Sequence, residues 1–159
     1  MSLIGNSDAQ LIDLISEQEA RLVFDRFSIA TAHEIGQRLV TRAQAQNAPI
    51  VVDVARNGHC LFHCALAGSA PDNAEWVLRK NRVVHRFRHA SLYMGALCRV
   101  DGKTLEEKFL LPPNTYAAHG GAFPITLRDS GVIGTITVSG LPQVEDHDLV
   151  VSVLEQILS

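Results

Sequence analysis

Residues 71–87, PDNAEWVLRKNRVVHRF, carry the side chain whose placement bears most directly on chemistry. At ~100° per residue, the helix that this segment predicts gathers Trp76, Val83, Val84 and Phe87 on one stripe. Lys80 falls in the middle of that stripe. An ammonium group among apolar neighbours must reach water, meet a carboxylate or line a pocket. A cation on an apolar wall is one way to hold an anionic ligand, so Lys80, with Trp76 and Phe87 as the wall, is the first candidate site.

His119, Gly120 and Gly121 form the second. They lie in a segment, residues 110–122, that also contains Pro112, Pro113 and Asn114. Adjacent glycines let a ligand approach the backbone closely, or make a sharp turn into a strand. The two readings carry similar weight. Arg79 and Arg86 flank Lys80 and read as solvated charges.

Other pairs have the right residue types and the wrong geometry. Cys60 and Cys64 fall on a predicted strand, as do His59 and His63. Residues four apart on a strand are separated by about 13 Å. That is too far for a disulfide or a shared metal ion. The cysteines are therefore expected to be buried small hydrophobes on one face, and the histidines structural. His85 and His89 are spaced i, i+4 on the helix, but Arg82 beside them disfavours a cation and no third ligand accompanies them. No metal site is expected. The sequence contains no GxSxG, no phosphate loop and no GxGxxG.

The elements that must position these residues follow from periodicity. Residues 8–18 predict an amphipathic helix, residues 21–27 a strand, and Ser28 an N-cap for a helix ending near residue 46. Asn57-Gly58 supplies the positive φ angles of a type I′ turn between strands at 50–56 and 59–66. A regular two-residue hairpin would set Arg56 against His59, Ala55 against Cys60 and Asp53 against Phe62. A helical stretch at 91–97, strands at 123–128 and 132–139, and a last helix at 143–158 complete the chain. The first turn of that helix carries Glu145, Asp146 and Asp148, as the helix dipole prefers. Five strands with helices before, between and after them predict an α+β fold with a mainly antiparallel sheet.

The chain has 159 residues, 47% of them hydrophobic and 19% charged, which predicts one domain with a substantial core. Residues 1–8 are expected to be frayed. A net charge of −3 gives no electrostatic case for nucleic acid. Apolar runs are too short to span a membrane. The N-terminal segment lacks a secretory pattern, and the odd count of three cysteines (Cys60, Cys64 and Cys98) suits a reducing compartment, so a cytoplasmic location is expected.

Four stretches carry a resemblance. EWVLRKN at 75–81, RFRHASLY at 86–93, YAAHGGAFPI at 116–125 and GTITVSGLPQVEDH at 134–147 resemble uncharacterised protein family 0303. That family is similar to the GlcG-like and HbpS-like members of the haem-degrading-domain group. The resemblance runs from Leu11 onward. It implies a profilin-like α-β-α fold with a five-stranded antiparallel sheet, and homo-oligomers. Some members of the broader group bind haem or related tetrapyrroles, so haem enters as a candidate cofactor by resemblance alone. The group's lysine falls on Lys80 and its glycine pair on Gly120 and Gly121. The chain departs at residues 79–84, RKNRVV, where the group favours small residues.

Three functions follow as expectations. The first is a binding module for a small anionic ligand, with His119 as polar contact or axial ligand. The second is an enzyme using a desolvated Lys80 as base or Schiff-base nucleophile, with His119 as acid and Asp53 or Asp146 as partner. The third is an assembly module in which Lys80 meets a carboxylate across a subunit boundary.

Overall fold

A computed structural model describes residues 1–159. The element order is α1 (Asp8–Arg21), β1 (Val23–Phe24), α2 (Ile29–Ala45), β2 (Val51–Arg56), β3 (His59–Ala65), α3 (Pro71–Phe87), α4 (Ser91–Val100), α5 (Leu105–Phe109), β4 (Ala122–Leu127), β5 (Gly131–Ser139) and α6 (Gln143–Leu158). The five strands make one sheet in the order β1-β4-β5-β2-β3. β1 runs parallel to β4, and every other pairing is antiparallel. This is the α+β architecture expected, with helices on both faces.

Local chemistry explains the boundaries. Ser28 accepts a hydrogen bond from the Thr31 N–H, capping α2 as predicted. Ser7 caps α1 in the same way, with Gln10 completing the box. Asn57 (φ 51°) and Gly58 (φ 78°) turn the β2–β3 hairpin in the left-handed region. α3 begins at Pro71, whose missing N–H costs nothing in the first turn.

The two faces of the sheet differ sharply. Val52, Val54, Ile136 and Val138 point to the α2 and α6 side and join a large apolar core with Ile35, Leu39, Val150 and Leu154. The alternate residues, Asp53, Thr135, Thr137 and Ser139, are also buried but polar, and α3 covers them. Alternation along a strand sends these residues to opposite faces by necessity. The polar face therefore needs hydrogen-bonding partners, and Asn81 of α3 supplies them to Asp53 and Thr137, while Lys80 bonds the Val138 carbonyl.

Several expectations are corrected. Within the segment expected to be frayed, Leu3 is 1% exposed and its N–H donates to Asp148. The strand predicted at 21–27 is only two residues long. The short helix α5 falls in a stretch with no strong periodic signal. In the hairpin, Asp53 lies opposite His63, not Phe62, because Leu61 is an extra residue in β3. The bulge also separates the cysteines. Cys60 faces the α3 side and is exposed rather than buried, while Cys64 lies opposite Val52 on the α2 side.

Candidate functional site

α3 buries Val77, Lys80, Asn81, Val83 and Val84. Trp76 and Phe87 sit at the margins of that stripe rather than within it. Lys80 is 3% exposed. Its Nζ donates to the Asp146 carboxylate at 3.2 Å and to the Val138 carbonyl at 3.1 Å. Asp146 is 1% exposed and accepts further hydrogen bonds from the Gly140 and Leu141 N–H groups at 3.3 and 3.0 Å. The carboxylate in the first turns of α6 thus folds back on the β5–α6 turn and ties it to α3. Burial lowers the Lys80 pKa against the pull of Asp146. Burial likewise pushes the Asp146 carboxyl up to about 6, opposed by Lys80 and the two backbone donors.

The glycine pair is packed closely against the protein's own backbone. A Cβ on Gly120 would lie 2.1 Å from the Gln143 carbonyl, and one on Gly121 would lie 2.3 Å from the Val138 carbonyl and 2.7 Å from Lys80 Nζ. Gly121 also has φ 134°, which other residues rarely adopt. The groups that approach these glycines are the protein's own, and the packing closes over the Lys80–Asp146 pair.

His119, just before the glycines, stands on the surface with its ring edge-on to Trp76 at 5.0 Å. Two clefts of about 260 Å³ share it as a wall. One is lined by Asn73, Trp76, Ser139, Gly140, Gln143 and Asp146. The other holds Arg79, Arg99 and Lys103 with Glu106, beside Tyr116, and Arg99 pairs with Asp8 at 2.9 Å. Arg79 lies over the Trp76 ring at 4.3 Å and donates to the Pro113 carbonyl, leaving its Nε buried without a partner. Burial lowers the His119 pKa, and Lys80, Arg79 and Arg99 lower it further. Both effects favour the neutral form of the ring.

Of the six sequence candidates, the structure brings Lys80, Trp76, His119, Gly120 and Gly121 to one end of α3. Phe87 is elsewhere: it packs on Phe109 at 4.6 Å, beside Val83, Met94 and Leu105. It lies three turns from Trp76 along the helix, and sharing a stripe does not mean sharing a pocket. Periodicity missed Arg99 and Lys103, which reach the site from α4 and the loop after it. Two other histidines have partners within the protein. His89 pairs with Glu19 at 2.7 Å and stacks on Tyr93 at 4.2 Å. His147 is wholly buried and donates to Gln18; burial pushes it down to about 3, so it stays neutral.

No helix is long and apolar enough to cross a membrane. Comparison with known proteins places the chain. The family model "Haem degrading protein HbpS-like" matches residues 27–155. A UPF0303 protein of Streptomyces coelicolor is 52% identical over 144 residues, covering 91% of each chain. One from Acidobacterium capsulatum is 47% identical over 146 residues, covering 92% of this chain and 88% of that one. Among solved structures, the Ybr137w protein superposes with a TM-score of 0.85 at 36% identity, over 92% of this chain and 87% of the other. A PduOC:heme complex superposes with a TM-score of 0.67 at 20% identity, over 81% and 93%. At that identity the likeness concerns the fold alone. With its polar sheet face under α3 and its family model spanning most of the sequence, the chain belongs to the HbpS-like haem-degrading protein family, in its UPF0303 branch.

Proposed function

We propose that this protein is a binding module for a flat, anionic ligand of the tetrapyrrole class, assembled as a homo-oligomer in the cytoplasm. The observation that carries this reading is the placing of His119. It is an imidazole beside an aromatic ring, between two clefts, with Arg79, Arg99 and Lys103 on one side, and its surroundings favour the uncharged ring. A neutral imidazole is the form that ligates a metal. Guanidinium and ammonium groups nearby suit the carboxylates of such a ligand. The family match to haem-degrading HbpS-like proteins supports the ligand class.

In this reading Lys80 does not touch the ligand. It is already neutralised by Asp146, and it acts by holding the β5–α6 turn. The same closure gives little support to a covalent role, because Lys80 Nζ is enclosed by Gly121, Val138 and Asp146.

The test is a titration with hemin followed in the Soret region, with native mass spectrometry for the assembly. Wild type should shift the band from that of free hemin. His119→Ala should lose the shift, and Arg99→Gln with Lys103→Gln should weaken binding about 10-fold or more, the loss of charge-assisted contacts worth ~1.5–3 kcal/mol. A spectrum indistinguishable from free hemin refutes the tetrapyrrole assignment. Monomers alone in the mass spectrum refute the assembly.

A further inference from the structure

A second cluster lies under the same helix, on the other side of Asn81. Asp53 is an ionisable residue inside the otherwise apolar run 51–55, and it is buried. Its Oδ1 accepts from the Asn81 side chain at 3.3 Å, and Asn81 in turn accepts from the Thr137 hydroxyl. Its Oδ2 points the other way, to His63 Nδ1 at 2.9 Å and Cys60 Sγ at 3.8 Å. The three ligating atoms all lie within 4.8 Å of one another. Neither Cys60 nor His63 is buried.

The bulge makes this arrangement. Cys60 and His63 are three residues apart, so a regular strand would send them to opposite faces. The extra residue Leu61 puts both on the face of Asp53, with Cys60 opposite Ala55 and His63 opposite Asp53. Bulges re-aim side chains in this way. Strand spacing still keeps His59 from His63 and Cys60 from Cys64, but it no longer keeps Cys60 from His63.

We infer that Asp53, Cys60 and His63 form a binding site for one borderline-soft divalent cation of the zinc type. Thiolate, imidazole and carboxylate are the three ligand types that such an ion takes. A tetrahedral ion with bonds of ~2.0–2.3 Å spaces its ligand atoms by about 3.3–3.6 Å, close to the spacing present. Asn81 fixes the carboxylate from behind, the outer-shell support that metal-ligating groups require. On binding, the Cys60 thiol releases its proton to water as the metal–sulfur bond forms, the His63 ring exchanges its Nδ1 proton through solvent for one on Nε2, and the Asp53–His63 hydrogen bond gives way to metal bonds from Oδ2 and the freed Nδ1. Without metal the thiol keeps its proton, because burial and the Asp53 charge raise its pKa. The fourth position faces solvent, which leaves room for water or an exchangeable ligand.

The experiment uses the full chain, stripped with a chelator and titrated with Co²⁺ by absorbance and Zn²⁺ by calorimetry. One equivalent should bind, with a cobalt–thiolate charge-transfer band and visible bands of tetrahedral strength. Cys60→Ser should abolish the charge-transfer band. His63→Ala should weaken affinity by more than ~10-fold, since even outer-shell losses cost that much. Cys64→Ser and His59→Ala should leave both readings unchanged. Both test positions are exposed, and circular dichroism checks that the variants fold. A wild-type protein without the thiolate band overturns the assignment, as does a band that survives in Cys60→Ser or an affinity unmoved in His63→Ala.

Discussion

Lys80 and Asn81 are neighbours on α3, yet they serve opposite kinds of polar cluster. Lys80 meets Asp146 where both side chains are 4% exposed or less, and the carboxylate also accepts from the Gly140 and Leu141 N–H groups. Asn81 holds Asp53 from the buried side and leaves its outer oxygen to His63, which is 41% exposed. The first cluster is closed: each charge has its partner inside the protein. The second is open: Cys60 and His63 are exposed, so two of its three ligand groups border water. Stability and chemistry therefore reside in different places. A closed buried pair is expensive to break, because one partner is left charged in a dry place. An open cluster adds little to stability and can accept something from outside.

Breaking the closed pair should have the largest effect. Lys80→Met leaves Asp146 without its counter-ion and should cost ~3–5 kcal/mol at pH 7.5, measured by urea unfolding. Lys80→Met with Asp146→Asn should recover most of that loss, since an amide still accepts from the turn and carries no charge. A single variant as stable as wild type would show that neither charge depends on the other, and the pair would not be closed.

The second effect is one of pH. Asp146 has a folded pKa raised to about 6 from the 3.8 of an unperturbed group. A carboxyl shifted upward favours folding most where both states are protonated, below pH 3.8, and that contribution is lost as pH rises through about 6. A rise of this size corresponds to ~3 kcal/mol. Relative to Asp146→Asn, wild type should therefore gain stability on acidification from pH 7 to 4. Buried His147 pulls the other way, since its lowered pKa costs stability in acid, but it is common to both proteins and cancels in the difference. A difference that stays flat across this range would show that Asp146 titrates normally.

The closed region is more legible in the sequence than the open one, and the reason is physical. Lys80 interrupts an apolar stripe, a local signal that helix periodicity reveals directly. Its partner narrows to two acids and no further, because the meeting of α3 with the start of α6 depends on the sheet order between them. The open region depends on Leu61. One extra residue reverses which side chains share a face, and nothing in NGHCLFHCA announces it. Asp53 in VVDVA is the available clue, a carboxylate in a run that otherwise reads as a buried strand. Phe87 shows the opposite error. Its position on the stripe is right in angle but displaced along the axis, so it fills a separate small cluster.

The smallest effect sharpens the contrast from the open side. His63→Ala removes a hydrogen bond whose imidazole is 41% exposed, and water can replace it at the Asp53 oxygen. Asn81 still holds the other oxygen, so no buried group is stranded. Exposed pairs contribute ~0.2–1 kcal/mol, and the variant should lose no more than that in urea unfolding without metal. Adding zinc should then stabilise wild type and not the variant, because an ion that binds only the folded state raises its stability by mass action. If His63→Ala instead cost as much as Lys80→Met, Asp53 would be as dependent on its partner as Asp146 is. The cluster would then be a second closed pair, with no capacity left for a metal.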